Sequence, residues 1–349
     1  MSEPTPTVMR ASAGDRLSTI YSHPGPYASV FLRVRPSSEA GEAWAAARWM
    51  DLRRMDLRRG LIERGAPRPA VDAVDRHLAA EPPADVAAIG VVAAADGHTI
   101  VDHALDPPRC DLATVDSLPY AAPFLEWNQR GVPHVVVVVD HTGADAVSFH
   151  PDRPATSLSL DAENGSLVDE ITVSIRTLRA ELAVVGGDPA RARALGDALT
   201  PLVGPFCNVV VELGGTADDL AVSTVRHVSD AAARSTVGFL REFRFLAEHD
   251  AAVDGMERTV SALRRRQPGV LLIHDDPDDT RRVWLGPTAT DLSVEPRKGW
   301  NVSARFVDAA IRAAIASGIR VHVIPSTGAT GPAGDTAHIH HGTPVIEPF

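Results

Sequence analysis

Residues 134–139 read HVVVVV, and Asp140-His141-Thr142-Gly143 follows at once. A run of β-branched side chains is stiff at χ1 and suits an extended, buried backbone better than a helix. It is far too short to cross a bilayer, which takes roughly 20 apolar residues. Asp140 to Gly143 supplies turn chemistry: short polar side chains that bond their own backbone, then a residue tolerant of positive φ. The expectation is a β-hairpin whose first strand is buried on both faces.

After the hairpin the pattern alternates strand and helix. TSLSL reads as a strand. SLVDEITVSIRTLRA reads as a helix, with Ser166 at its N-cap and Asp169 and Glu170 in its first turn. LAVVGG is a strand, and DPARARALGDAL is a helix capped by Asp188 with Pro189 at its first position. CNVVVEL is a strand, and residues 216–250 form one helix of about nine turns. A βαβα order favours a mostly parallel sheet.

The flanking thirds are mixed. Before the hairpin, ASVFLRV (28–34) is a strand. EAWAAARWMDLRRMDLRRGLIERG is a helix with Trp44, Ala47, Leu52, Met55 and Ile62 near its apolar face, stopped by Gly65 and Pro67. PAVDAVDRHLAA is a second helix, VAAIGVVAAADGHTIVDHAL a hairpin turning at Asp96-Gly97, and LPYAAPFLEWNQRGVP a short helix. After residue 253, GMERTVSALRRRQ is a helix, GVLLIHDD and RRVWLG are strands, SARFVDAAIRAAIASG is a helix and IRVHVIP a strand, with the tail adding an edge strand.

Composition limits what such a chain can do. At 349 residues it exceeds one ordinary core, so two or three domains are expected. The net charge of −11 argues against non-specific nucleic-acid binding without excluding a local basic surface. Two cysteines, Cys110 and Cys207, fit neither a zinc knuckle nor a disulfide framework. With no signal-peptide pattern and no membrane-length apolar run, a cytoplasmic protein away from membranes is expected.

Three stretches together resemble the release factor/Pelota superfamily, in its bacterial branch: LPYAAPFLEWNQRGVPHVVVVVDHTGADAVSF, LAVVGGDPARARAL, and VDGMERTVSALRRRQPGVLLIHDDP with DAAIRAAIASGIRVHVIP. The resemblance covers nearly the whole chain from Tyr27. It implies a three-domain α/β protein: an α+β N domain (1–133) for the ribosomal decoding region, then two α/β domains with mostly parallel or mixed sheets. These are a middle domain (134–253) for the peptidyl-transferase region and a small C domain (254–349) that meets partners. Release factors carry a Gly-Gly-Gln loop between a middle-domain strand and the next helix. Here Asp161, Ala162, Glu163, Asn164 and Gly165 occupy that place, a connection of ordinary tight length without the tripeptide. Gly186-Gly187 and Gly214-Gly215 are followed by Asp188 and Thr216, so neither pair continues into the motif.

The resemblance therefore implies a non-catalytic ribosome-binding factor, needing no cofactor, that occupies the vacant A site against rRNA, as in hibernation or stress. A translational GTPase such as EF-Tu is the expected second partner. Two other readings stand beside it: a peptidyl-tRNA hydrolase or rescue enzyme with an unrecognised active site, and a stress protein acting through a protein partner.

Other residues carry two readings each. Arg48, Arg53, Arg54, Arg58 and Arg59 either meet rRNA phosphates or form a solvated helix face part-compensated by Asp51 and Asp56. LRRRQ (263–267) has the same two readings. His338, His340 and His341 suit a metal or an ordinary polar tail. HDDPDDT (274–280) suits magnesium or an acidic loop. VVGGDPARARAL offers a helix N-terminus to an anion, a role Asp188 itself can fill. Cys207, beside a buried strand, reads as core.

Overall fold

A computed structural model of the chain describes residues 12–34, 43–80, 86–104, 111–151, 153–161, 167–214, 216–266, 268–324 and 345–346, with backbone alone at 43–49, 153, 154, 217, 345 and 346. In chain order come α1 (Ala13–Ile20), β1 (Tyr27–Arg33), α2 (Ala43–Glu63), α3 (Arg68–Ala79), β2 (Ala88–Ala93), β3 (Thr99–Ala104), β4 (Leu112–Asp116) and α4 (Ala122–Arg130). Next are β5 (His134–Val139), β6 (Gly143–His150), β7 (Arg153–Asp161), α5 (Leu167–Leu178), β8 (Leu182–Gly187), α6 (Pro189–Val203), β9 (Asn208–Val211) and α7 (Ala217–Glu248). The remainder is β10 (Ala252–Val253), α8 (Met256–Arg265), β11 (Val270–His274), β12 (Arg282–Leu285), β13 (Leu292–Ser293), β14 (Val302–Arg305), α9 (Phe306–Ala316), β15 (Arg320–Ile324) and β16 (Val345–Ile346). The chain is thus mixed α/β, and it divides into two compact units. One includes residues 128–240; the other joins 13–127 with 241–349.

The 128–240 unit is built on the valine run. Its sheet has the order β7-β6-β5-β8-β9. β5 pairs antiparallel with β6 and parallel with β8, and β8 pairs parallel with β9. Side chains alternate across a strand, so Val135, Val137 and Val139 point to one face and pack with Ile171 and Ile175 of α5 and Leu195 and Leu199 of α6. Val136 points the other way, to Leu182, Val184 and the α7 residues Leu220 and Val228. Burial on both faces of β5 is not complete: Val138, opposite Asp145, remains 38% exposed. The apolar packing of α7 on this face is to β5, β8 and β9, and the hairpin's return strand shares the open part.

The turn also differs from expectation in its reason for glycine. Asp140 Oδ1 accepts from the Thr142 amide (2.7 Å), the Thr142 hydroxyl (2.6 Å) and the Gly143 amide (2.9 Å), so the turn is held by the aspartate. Gly143 is not among the residues with positive φ. What excludes a side chain is space, since a Cβ there would lie 1.9 Å from the Leu160 carbonyl oxygen of β7.

In the other unit, β3-β2-β1-β4 form an antiparallel sheet. One face, with Ala28, Val30 and Leu32, packs under α2 and α3 through Leu61, Val71, Val74 and Leu78. The opposite face, with Tyr27 and Phe31, joins a core that includes Tyr120 and Phe124 and, from the C-terminal part, Leu271, Phe306, Val307 and Ile311. That part carries a second sheet, β10-β16-β11-β15, in which β11 and β15 run parallel, and a small one, β13-β12-β14.

Four further differences from the sequence expectations are physical. On α2 the assigned face is exposed where side chains are described: Leu52, Met55 and Ile62 are 51%, 56% and 55% exposed and Leu61 is buried, while the side chains of Trp44 and Ala47 lie outside the described residues. The C-terminal helix begins at Phe306, because residues 302–305 first pair with β12 as β14. β16 sits between β10 and β11 rather than at an edge. α1 and β4 have only short or half-polar patterns (AGDRLSTI, LATVD) and carry no periodic signal.

Candidate functional site

The arginines of α2 are the first sequence-designated residues to place. Arg53 pairs with Asp111, whose other carboxylate oxygen accepts from the Arg33 amide at 2.8 Å. Arg54 lies 3.6 Å from Asp51 and 3.8 Å from Asp75 of α3. Arg58 reaches Asp72 of α3 at 2.9 Å and Asp75 at 3.6 Å. Among the described residues Arg59 pairs with Asp56, at 2.5 Å, and both are well exposed. Burial, then the nearby Arg33, lowers the Arg53 pKa from its ordinary value. Arg48 lies on α2 with its side chain outside the described residues. Three of these guanidiniums therefore bind α2 to its neighbours as well as facing outward. A guanidinium has five N–H groups in a planar fork, so one carboxylate contact does not exhaust Arg54 or Arg58.

The second designated place is the connection after β7. Asp161 ends the strand opposite Gly143 and is exposed. Ala162, Glu163, Asn164 and Gly165 lie outside the described residues, as does Ser166. α5 begins at Leu167, so only residues 162–166 separate strand from helix.

The glycine turn after β8 is filled by the protein itself. Gly187 has φ +106°, and a Cβ on it would lie 2.1 Å from the Val139 carbonyl oxygen. Asp188 Oδ1 accepts from the Arg191 amide at 3.0 Å, and Arg191 Nη1 donates to the Asp140 carbonyl at 3.0 Å. The cap decides for the structural role. Nearby in the same unit, His227 Nε2 of α7 lies 2.5 Å from Glu212 Oε1, a pair that no local motif announced.

The acidic stretch 274–280 is consumed by internal contacts. Asp279 binds Arg281 through both carboxylate oxygens (2.9 and 2.7 Å), and Asp276 Oδ1 accepts from the Asp278 amide at 2.9 Å. Asp275 belongs to a buried cluster. Its Oδ1 accepts from the Tyr120 hydroxyl at 2.9 Å and from Arg305 Nη2 at 2.7 Å. Arg305 also reaches Asp308 at 3.3 Å and lies 4.3 Å from the centre of the Tyr120 ring. Asp308 accepts from the Ala121 amide at 3.3 Å. Burial, with Asp275 close by, pushes the Asp308 carboxyl up to about 7. Two carboxyls thus share one guanidinium in a dry core. Sequence reasoning missed this cluster, because its members lie at 120, 275, 305 and 308 in apolar surroundings; the signal was an Arg-x-x-Asp start to an otherwise apolar helix.

No group of metal-binding side chains occurs among the described residues, and His338, His340 and His341 lie outside them. Cys207 is buried, and that burial pushes its thiol up to about 11, the chemistry of a core residue rather than a nucleophile. Among the described residues no helix is long and apolar enough to cross a membrane.

No protein-family model matches the chain. Among curated proteins, uncharacterized protein Rv2629 of Mycobacterium tuberculosis (strain ATCC 25618 / H37Rv) is 26% identical over 149 residues, 42% of this chain and 38% of that protein. An uncharacterized protein of strain CDC 1551 / Oshkosh matches to the same extent. The match thus spans well under half the length of these relatives. Among solved structures, the chain is similar to a ribosome-bound archaeal Pelota, described together with ABCE1, at 11% identity and TM-score 0.44, covering 100% of this chain and 98% of the other. For Dom34 of S. cerevisiae, described as a translation termination-like factor, the figures are 10%, 0.42, 98% and 94%. For the archaeal translation termination factor aRF1 they are 15%, 0.25, 97% and 99%.

Proposed function

We propose that this chain is a ribosome-binding factor of release-factor type that acts without releasing peptide, occupying a vacant A site as a hibernation or stress factor in the manner of Balon. The observation that carries the reading is the connection between β7 and α5. In the resemblance drawn from sequence, this is where a release factor holds its Gly-Gly-Gln loop, and here residues 162–166 read AENGS. A connection of that length serves to join strand to helix. Around it lies a five-stranded mixed sheet in which β5 is central, with α5 and α6 on one face. On this reading the chain divides functionally at about Pro133 and Val253. The first part faces the decoding region through α2 and its arginines, and the last meets a protein partner such as the translational GTPase EF-Tu. Location in the cytoplasm follows from the same reading.

Sedimentation with ribosomes tests it. The protein should pellet with vacant ribosomes at low and moderate salt, and A-site tRNA should displace it. It should release no peptide from a ribosomal peptidyl-tRNA complex above background. Failure to pellet at either salt, or release that persists after purification from contaminating factors, would overturn the proposal.

A further inference from the structure

α8 and its C-cap residue turn four arginines toward solvent in an acidic chain. Arg258, Arg264, Arg265 and Arg266 are all exposed, while Thr259, Val260, Ala262 and Leu263 fill the buried side. Arg265 donates to Ser261 Oγ at 2.7 Å, which aligns it along the same face. Arg266 caps the helix in the left-handed conformation with φ 54°. Among the described residues, Arg258, Arg264 and Arg266 form no ion pair. The face continues onto the loop between β13 and β14. α8 packs against β13, and Asp291, just before β13, is held below the usual carboxylate range first by the Thr288 hydrogen bonds and then by Arg264 and Arg297. Arg297 stands over the Trp300 ring at 5.4 Å and is oriented by Ser293 Oγ at 3.1 Å. Trp300 is itself fixed, since a Cβ on Gly286 would lie 2.4 Å from its ring. Between them lies Lys298, exposed and the only lysine in the sequence.

We infer that this surface, Arg258, Arg264, Arg265, Arg266, Arg297 and Lys298 around Trp300, binds single-stranded RNA. Charge complementarity carries the choice of a polyanion. These six cations stand against Glu257, Asp291 and Glu295 in a chain whose net charge is −11. Such a local reversal of sign focuses a polyanion rather than the average solute. The Arg297–Trp300 pair, a guanidinium 5.4 Å from the indole centre, decides between polyanions. A guanidinium plane supported on an indole gives a base a face to stack on, and arginine forks match phosphate oxygens bidentately. A carboxylate-rich protein would use the charges and leave the stacking pair idle. The inference goes beyond the A-site reading, and free RNA is the probe, so the one can fail while the other holds.

Fluorescence anisotropy of a labelled 12-nucleotide single-stranded RNA, titrated with full-length protein from 50 to 200 mM salt, tests it. The variant Arg258→Ala/Arg264→Ala/Lys298→Ala should bind at least about tenfold more weakly at 100 mM salt. Its log–log salt slope should be smaller by about 2, or ~0.7 for each phosphate no longer neutralised. Polyglutamate of equal charge concentration should compete poorly. A second measurement needs no variant: RNA should slow acylation of Lys298 at least threefold relative to the chain's α-amine. Binding of the variant within twofold of the parent, or acylation indifferent to RNA, overturns the inference. So does displacement by polyglutamate on equal terms, which would assign the surface to an acidic protein. Should the variant fail to fold, the Lys298 measurement on the parent decides alone.

Discussion

Tyr120 donates its hydroxyl to Asp275 at 2.9 Å, although 155 residues separate them in the chain. Arg282 does the same at longer range, holding both oxygens of Asp116 at 2.9 and 2.8 Å across 166 residues. Both contacts tie residues 13–127 to residues 241–349 within one compact unit. The first is dry: Arg305, Asp275 and Asp308 are each less than one-tenth exposed. Burial raises the Tyr120 phenol well above its ordinary range, so it stays a donor at any physiological pH. Replacing Tyr120 by Phe removes one hydrogen bond to a charged, buried acceptor and should cost about 1.5–3 kcal/mol. Replacing Arg305 by Met leaves two buried carboxyls without their cation and should cost more, about 3–5 kcal/mol. Urea unfolding of the two variants should rank them in that order. Equal costs would mean the guanidinium adds nothing beyond its packing.

Two buried groups of the same unit, Asp308 and His322, pull the pH dependence of stability in opposite directions between about pH 4.5 and 6. Burial raises Asp308 to about 7, against an unfolded value near ~3.9. In that window the folded state holds a proton that the unfolded state has lost, so stability falls as pH rises toward 7. Burial, then Arg320, lowers His322 to about 4, against an unfolded value near ~6.5. Here the unfolded state holds the extra proton, so stability rises with pH across the same window. Each contributes at most about 1.4 kcal/mol per pH unit, with opposite sign. Relative to the parent, Asp308→Asn should make the slope of stability against pH more positive, and His322→Gln should make it more negative. Denaturation midpoints at pH 4.5, 5.25 and 6 read both slopes. A variant that kept the parent profile would remove its residue from this balance.

Within α2, Leu61→Ala should cost about 2–4 kcal/mol, and Leu52→Ala or Met55→Ala under about 0.5 kcal/mol. The first empties a site in the core beneath α3; the others trim side chains more than half exposed. The reverse order in thermal unfolding would return α2 to the face that its sequence suggests.

That face shows where the sequence was legible and where it was not. The hairpin at Asp140, the cap at Asp188 and the unbroken helix 217–248 were readable because local chemistry determines them: turn residues, an N-cap with proline behind it, and a long stretch without proline that tolerates the single Gly238. α2 was not, because its inward side mixes leucine with Arg54 and Arg58, whose aspartate partners lie on α3. Periodicity counts apolar residues and cannot see a buried stem ending in a paired charge. The Tyr120–Asp275–Arg305–Asp308 cluster was invisible for a related reason. Each member is ordinary in its own stretch, and only the tertiary fold brings them together. The strand β14 reads as helix in sequence because VSAR carries no periodicity of its own and borrows its conformation from β12.

The α2 arginines give the most discriminating test of the surface proposed to face rRNA. Arg54 and Arg58 bridge to Asp72 and Asp75 of α3, with side chains 30% and 38% exposed. Partly solvated pairs of this kind contribute little, so Arg54→Ala/Arg58→Ala should lower stability by no more than about 1 kcal/mol. Arg59→Ala should leave it unchanged. In ribosome binding, replacing Arg53, Arg54, Arg58 and Arg59 together should weaken association and reduce the log–log salt slope by ~0.7–0.9 for each phosphate left unneutralised. The aspartates supply the control. A phosphate that approaches Arg54 or Arg58 competes with Asp72 and Asp75 for the same guanidinium donors. Asp72→Asn/Asp75→Asn should therefore tighten ribosome binding while slightly loosening the helix pair, a combination that a merely solvated face does not produce. If the aspartate variant binds no better than the parent and the arginine variant binds no worse, α2 serves only to hold its own domain together.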